Sequence, residues 1–113
     1  VIDQLRNIKT AAEIEILRRN GQLSAAGIRT AIARARPGMY EYQVAAHATF
    51  SFTMAGAQGV AYPAVVASGP NAIALHYFSN RRQMQPDDLV VGFAGDLLAQ
   101  ARLGVETGQS RLS

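Results

Sequence analysis

The first third of the chain repeats its hydrophobic residues with a helical period. Thr10 and Glu13 stand at the spacing of a capping box, in which each side chain accepts from the other residue's backbone N–H group. Pro37-Gly38 ends the pattern. We therefore predict a helix over residues 10–36. Its buried stripe should consist of apolar or small residues spaced three or four apart: Ile14, Leu17, Gly21, Ala25, Ile28, Ile32 and Ala35.

A second helix is predicted from about Glu41 to about Ala55. Glu41 suits the first turn, because a negative charge is favourable at the positive end of the helix dipole. Tyr40 is a poor N-cap residue, and Gly56 suits the position after the helix. His47 is interpreted as structural, since no second metal-ligand residue stands three or four positions later. The buried face should contain Val44, Ala48, Phe52 and Ala55.

The next stretch contains two apolar runs separated by a turn. Pro63 interrupts the run Val60–Ala67, which favours an edge strand or a bulge over a central strand. Ser68-Gly69-Pro70-Asn71 is a dense turn signal. The second run, Ala72–Leu75, is interpreted as a short strand that ends at His76. An imidazole at the end of a strand beside a turn is held by the scaffold and can still reach a ligand.

The last clear element is a strand over Leu89–Phe93, apolar throughout and therefore expected to be buried on both faces. The connection before it contains Arg81 and Arg82. A pair of arginines is able to hold a carboxylate, but a solvated loop is the favoured interpretation. Together these elements predict an α+β fold, with two helices packed on one face of a small, mostly antiparallel sheet.

Composition narrows the class of protein. The 113 residues suit a single domain, and the absence of cysteine removes disulfides and thiolate metal sites. A formal net charge of +3 is too small and too scattered to indicate nucleic acid. No apolar run approaches the roughly 18 residues of a membrane span. We therefore expect a cytoplasmic protein without nucleic-acid or membrane partners.

Several separate motifs resemble the pita-bread metallopeptidases, and most closely their Xaa-Pro aminopeptidase and prolidase branch. The resemblance covers roughly residues 8–89. It rests on these residues, which occur in the order of the family: Ile8-Lys9, Glu13-Ile14-Glu15, Arg36-Pro37-Gly38-Met39, Glu41, Gly69, Asn71, His76-Tyr77 and Asn80. The resemblance implies that the fold is the N-terminal half of a pita-bread catalytic domain.

The resemblance also implies a site. In the family, the histidine of the His-Tyr pair contacts a peptide substrate beside two divalent metals, which are manganese, cobalt or zinc. His76 is therefore the candidate catalytic residue on the substrate side. The alternative is that His76 is an ordinary, partly buried histidine bonded to a backbone carbonyl.

The metal ligands of the family are missing from the matching positions. The family has a metal-bridging aspartate at the end of the strand over 89–93, where this sequence has Gly92. Asp96 lies four residues later, more than ~12 Å along an extended strand. A second aspartate is absent from the tail, and residues 95–113 diverge from the family. We therefore expect no metal or other cofactor in this chain, a truncated half-domain over residues 1–113, and no catalysis by it alone.

Two further expectations concern partners. One alternative to the peptidase fragment is a non-catalytic module that binds peptides or proteins with the same fold. The strand over Leu89–Phe93 should also expose apolar surface and an unpaired sheet edge, which another chain can cover. We therefore expect a homo-oligomer, most simply a homodimer swapped through the tail after Gly95, or a complex with a complementary second half.

Overall fold

The computed structural model describes residues 1–93, 96–97 and 109–111 of the chain. Its helices and its small antiparallel sheet confirm the predicted α+β class. The elements, in chain order, are α1 (Ile2–Asn7), α2 (Ala11–Arg34), α3 (Glu41–Met54), β1 (Gly59–Val60), β2 (Val65–Ser68), a 3-10 helix (Gly69–Ile73), β3 (Leu89–Phe93), β4 (Asp96–Leu97) and β5 (Gln109–Arg111). Most of the tail over 95–113, which is expected to diverge from the family and to contain the swap point, lies outside the described residues.

Helix α2 begins at the predicted capping box. The backbone N–H of Glu13 donates to Thr10 Oγ1 over 3.2 Å, and the backbone N–H of Thr10 donates to Glu13 Oε2 over 2.7 Å. Two of the N–H groups that a helix start leaves unbonded are thereby satisfied. The helix ends at Arg34, and the N–H of Ala35 closes its last turn on Ala31 O.

The predicted buried stripe of α2 is wrong in part. Ile14 and Ile32 are 43% and 40% exposed. The physical reason is the close packing of α2 against α3. A Cβ atom on Gly27 would lie 2.1 Å from Phe52 Cε1, so only a glycine fits there. The short distance between the helices leaves room for small residues and not for large apolar ones. The buried positions of α2 are accordingly Asn20, Ser24 and Gly27.

Helix α3 follows its predicted pattern more closely. The predicted positions Val44, Ala48 and Phe52 are buried, whereas Ala55 is exposed and caps the helix end. Gly56 adopts a φ of +94°, which confirms its place after the helix.

The free backbone N–H groups at the start of α3 find acceptors without a capping side chain at Tyr40. The side chain of Tyr40 makes no capping hydrogen bond. The backbone N–H of Glu41 instead donates to Arg82 O over 3.0 Å, and that of Tyr42 donates to Asn80 O over 2.9 Å. The segment before β3 thus completes the helix terminus that a cap residue would otherwise serve.

The main sheet has the order β2-β3-β5, and each pair is antiparallel. β3 is therefore the central strand, and the predicted unpaired edge at this strand is wrong. Burial on both faces is also wrong at Leu89, which is exposed, whereas Val90 is buried.

Strands β1 and β4 form a separate, two-stranded sheet. The main core cluster lies between α2, α3 and the main sheet and consists of Ala35, Val44, Val66, Met84 and Val90.

The two predicted strands around the turn have different outcomes. The chain bends at Ala61 and Tyr62, just before Pro63, and the first run divides into β1 and β2. The second run is not a strand, because the turn residues form a 3-10 helix with Pro70 in its first turn. Ile73 and Leu75 are 91% and 90% exposed. His76 therefore does not lie at the end of a strand.

No helix in the part of the chain that the structure describes combines the length and the apolarity needed to cross a bilayer.

Candidate functional site

The carboxylate of Glu41, at the start of α3, is fully buried and joins three separate segments. Its Oε1 accepts from the N–H and the hydroxyl of Ser68, over 2.8 and 2.7 Å, and from Asn71 Nδ2 over 3.3 Å. Its Oε2 accepts from the hydroxyl of Tyr77 over 2.7 Å and from the N–H of Arg82 over 3.1 Å. We call these five residues the Glu41 cluster.

The hydrogen bonds decide the charge state of the cluster. Burial alone would raise the pKa of Glu41, but donors from Tyr77, Ser68 and Arg82 outweigh it and hold the pKa below its ordinary value of 4.5. Burial and the bond to Glu41 raise the pKa of the Tyr77 hydroxyl above 10.0. Glu41 is therefore an anion that accepts, and Tyr77 a neutral hydroxyl that donates, across the physiological range.

Arg82 extends the cluster to the start of β3. Its Nη1 donates to Ser68 Oγ over 2.9 Å and forms a salt bridge with Asp88. That bond raises the pKa of Arg82, and the same bond, with a second from the N–H of Gln85, lowers the pKa of Asp88. The solvated-loop interpretation is therefore wrong for Arg82, which holds a carboxylate.

Two neighbours of Arg82 also hold this segment in place. Arg81 lies with its guanidinium 5.4 Å from the centre of the Tyr42 ring, a cation–π distance. The side chain of Asn80 accepts from the N–H of Val66 and donates to the carbonyl of Ala64, both over 2.8 Å. Asn80 thereby binds the backbone entering β2 as a neighbouring strand would.

His76 lies on the surface, between the 3-10 helix and Tyr77. Its φ is +54°, a left-handed conformation that is uncommon for a residue other than glycine. Its ring centre lies 6.2 Å from that of Phe78. His76 is exposed, and its ring bonds to no backbone carbonyl of the described residues. The interpretation of His76 as a partly buried histidine bonded to a carbonyl is therefore wrong.

The described residues do not fit a divalent-metal site. No group of three or more histidine, aspartate or glutamate side chains comes together among them. β3 carries no carboxylate at any position, and Gly92 faces Val66 of β2 in the register of the sheet. Asp96 is paired with Val60 in the other sheet. Hard divalent cations need several oxygen ligands at one point, and the described part of the chain does not gather them.

Sequence reasoning missed the central residue of this site. It placed Glu41 in the first turn of α3 for the helix dipole alone, whereas the structure buries its carboxylate under five donor groups. The available signal was its presence in the same set of family motifs as Asn71 and Tyr77. His47 lies half-buried on α3, and its structural interpretation stays a prediction.

Comparison with known proteins gives consistent relatives. The model of metallopeptidase family M24 matches residues 15–96. Xaa-Pro aminopeptidase of Escherichia coli (strain K12) is 35% identical over 105 residues, which cover 86% of this chain and 24% of the relative. Xaa-Pro dipeptidase of Pyrococcus furiosus is 33% identical over 91 residues, covering 80% of this chain and 26% of the relative.

Solved structures agree with these relatives. Escherichia coli aminopeptidase P in complex with substrate superposes with a TM-score of 0.79 at 37% identity, over 81% of this chain and 21% of that one. Proline aminopeptidase P II from Yersinia pestis has the same TM-score at 40% identity and the same coverage. The chain spans about a quarter of the length of its curated relatives. With more than half of its residues matched, the chain belongs to metallopeptidase family M24.

Proposed function

We propose that these residues form the substrate-side part of an Xaa-Pro aminopeptidase- or prolidase-type site, in which His76 contacts a peptide. The observation that carries the proposal is the position of His76. Its imidazole is exposed, although its backbone is held in an uncommon conformation between the 3-10 helix and the Glu41 cluster. The similar solved structures of Escherichia coli aminopeptidase P include complexes with a substrate and with the inhibitor Pro-Leu.

An imidazole in this position has a defined chemical role. It can donate a hydrogen bond to a peptide carbonyl or accept one from a peptide N–H group, and so orient the bond next to a proline. A metal-activated reaction would need ligands that the described residues do not bring together. We therefore propose that the chain binds peptides and by itself neither hydrolyses them nor holds a stoichiometric divalent cation.

Peptide titration tests the proposed contact. An Xaa-Pro tripeptide should bind the wild-type chain in a calorimetric or NMR titration. His76→Ala should weaken binding about tenfold, the size of one lost hydrogen bond. Ser79→Ala, a change at an exposed neighbour, should leave the affinity unchanged. The absence of wild-type binding, or equal affinities for all three proteins, would contradict the proposal.

An assay of turnover tests the absence of catalysis. The purified chain, supplied with manganese, cobalt or zinc, should release no N-terminal residue from the same tripeptide. Titration with each metal should give only weak heat. Turnover, or tight one-to-one binding of a metal, would overturn this part of the proposal and would direct attention to Asp96 and His76.

The second candidate function is a non-catalytic peptide- or protein-binding module, favoured by the poor fit of the described residues to a metal. Its discriminating result is peptide binding that persists with no turnover when a complementary C-terminal half of a family member is added. Restored turnover would instead favour a split enzyme.

We also propose a cytoplasmic location for the chain, and cell fractionation tests it.

We also propose that another chain covers part of the surface, either a second copy in a homodimer or a complementary half. Large exposed apolar side chains fall in two stretches of the chain, one flanking His76 and one in and beside α1: Ile73, Leu75, Phe78, Val1, Ile2, Leu5 and Ile8. Light scattering should report about twice the chain mass for the homodimer. A monomer at high concentration would rule out the homodimer.

A further inference from the structure

The segment that carries His76 adopts a strained backbone with little secondary structure to impose it. Between the 3-10 helix and β3, His76, Asn80 and Asp87 have φ values of 54°, 49° and 67°. Each such residue costs free energy, so neighbouring contacts must impose the conformation. Asn80 has its contacts with Ala64 and Val66. His76 has no comparable side-chain bond with the described residues.

The contact that fixes His76 belongs to the next residue. The hydroxyl of Tyr77 donates to Glu41 Oε2 over 2.7 Å and accepts from Asn71 Nδ2 over 3.0 Å. The backbone N–H of Arg81 also donates to it over 3.4 Å. The hydroxyl therefore contacts residues that lie before and after Tyr77 in the chain, Asn71 and Arg81. The ring of Tyr77 is half-buried, its hydroxyl is bonded, and Tyr77 shares a peptide group with His76.

Tyr77 is only as fixed as the group that it bonds. Glu41 lies in the first turn of α3, is fully buried, and accepts five hydrogen bonds in total. Two of them come from the backbone of Ser68 and Arg82, which do not rotate as side chains do. A buried carboxylate with this many donors has one favourable position. The hydroxyl of Tyr77, which bonds to it, is therefore held in one position as well.

We infer that Glu41 is a positioning residue for His76, acting through the hydroxyl of Tyr77. The inference rests on the proposed contact between His76 and a peptide. A role in the helix dipole alone would need the charge at the start of α3 but none of the five bonds. A role in stability alone would need the bonds but would leave the affinity of a folded variant for the peptide unchanged.

A double-mutant cycle separates these roles. Tyr77→Phe removes only the hydroxyl and leaves Glu41 its bonds to Ser68 and Arg82, so the fold should persist. It should weaken binding of the Xaa-Pro tripeptide about tenfold when His76 is present and leave the affinity unchanged in the His76→Ala background. Equal losses in both backgrounds, or no loss in either, would overturn the inference.

A matched control accounts for the loss of a tyrosine hydroxyl in itself. Tyr42 is exposed, its ring contacts Arg81 of the same segment, and its hydroxyl makes no hydrogen bond with the described residues. Tyr42→Phe should therefore leave the affinity unchanged. A loss as large as that of Tyr77→Phe would show that the effect does not pass through Glu41.

NMR provides a readout that does not depend on peptide binding. A positive φ brings the amide and α protons of His76 close together, which gives a strong intraresidue cross-peak. That cross-peak should be strong in the wild type and in Tyr42→Phe, and weak in Tyr77→Phe and in any folded preparation of Glu41→Gln. An unchanged cross-peak in Tyr77→Phe would overturn the inference. If the wild type binds no peptide, the proposed function fails, and the cross-peak alone decides the positioning role.

Discussion

Two polar side chains, Glu41 and Asn20, are fully buried but differ in whether their polar atoms have hydrogen-bond partners. Glu41 lies where the start of α3 meets the end of β2 and the segment before β3, and its carboxylate accepts five hydrogen bonds. Asn20 lies in the middle of α2, and neither its Nδ2 nor its Oδ1 has a partner within the described residues. The burial is equal, but only one of the two desolvated groups is compensated.

The difference follows from where the backbone donors are. At the junction around Glu41, the last residue of β2, Ser68, and the segment before β3, at Arg82, each direct a backbone N–H group at the carboxylate and not at another strand. In the middle of a helix the backbone bonds to itself, so a buried side chain there depends on its packing partner. Helices α2 and α3 are in close contact at Gly27 and Phe52, and the described residues offer the amide of Asn20 no such partner. The buried carboxylate with hydrogen-bond partners, Glu41, therefore belongs to the candidate site. The buried amide without partners among the described residues, Asn20, belongs to a packed helix face.

The largest expected effect comes from removing the satisfied group. Glu41→Ala leaves the buried donors of Ser68, Tyr77 and Arg82 without an acceptor. At about 1–3 kcal/mol for each, the total loss of unfolding free energy should reach about 3 kcal/mol or more. Urea denaturation measures it. Glu15→Ala, which removes an exposed carboxylate paired with Arg18, should change stability by no more than about 0.5 kcal/mol. Similar losses for the two variants would break the comparison.

Acid should remove part of the same stabilisation. The folded-state pKa of Glu41 lies below 4.5, so its contribution is complete above that pH and is lost as the pH falls through the folded pKa. Asp88 has the same sign, from an ordinary value of 3.8. The melting temperature should therefore fall steeply on acidification below 4.5. Glu41→Gln should flatten that fall, and an unchanged slope would contradict the assignment.

Two glycines of α2 test the packing side of the comparison. Gly27→Ala should destabilise by about 1–3 kcal/mol, because the added Cβ would overlap the buried ring of Phe52. Gly21→Ala meets nothing within 4 Å and should stabilise by up to about 1 kcal/mol through helix propensity. Thermal denaturation distinguishes the two signs. Stabilisation by Gly27→Ala would mean that α2 and α3 are not in close contact at Gly27.

The smallest expected effect comes from the unsatisfied group. Asn20→Ala removes a buried amide without a partner and adds helix propensity, so it should stabilise the protein by about 1 kcal/mol. Asn80→Ala removes an amide that makes two backbone bonds and places alanine at a φ of +49°, and it should destabilise. Chemical denaturation of both variants measures the contrast. Destabilisation by Asn20→Ala would show that its amide has a partner after all.

Periodicity and capping predicted the helices well because both are local. The capping box at Thr10 and the buried positions Val44 and Phe52 follow from residues within one or two turns. The buried face of α2 did not follow, since the fit between Gly27 and Phe52 depends on another helix. The apolar run over 72–75 was mistaken for a strand because a short run carries no period.

The site was predictable only where a motif named its residues. The His76-Tyr77 pair was singled out in that way as a prediction, but the expected position of His76 at the end of a strand was wrong. The bonds that organise it join Glu41 to Ser68, 27 positions away, and to Arg82, 41 positions away. Hydrophobic spacing contains no information about such pairs, so Glu41 was identified as a helix-terminal charge and its buried role was missed.

Helix α1 has six residues, and none of them is buried. A helix of this length has too few turns to offset the cost of its own nucleation in water, and no packing contribution adds to it, so the free energy of opening it should be close to zero. Trypsin should therefore cut after Arg6 well before it reaches Arg82, whose guanidinium is bonded to Asp88. The shortened product should keep the Glu41 cluster whole, since none of the cluster residues lies before α2.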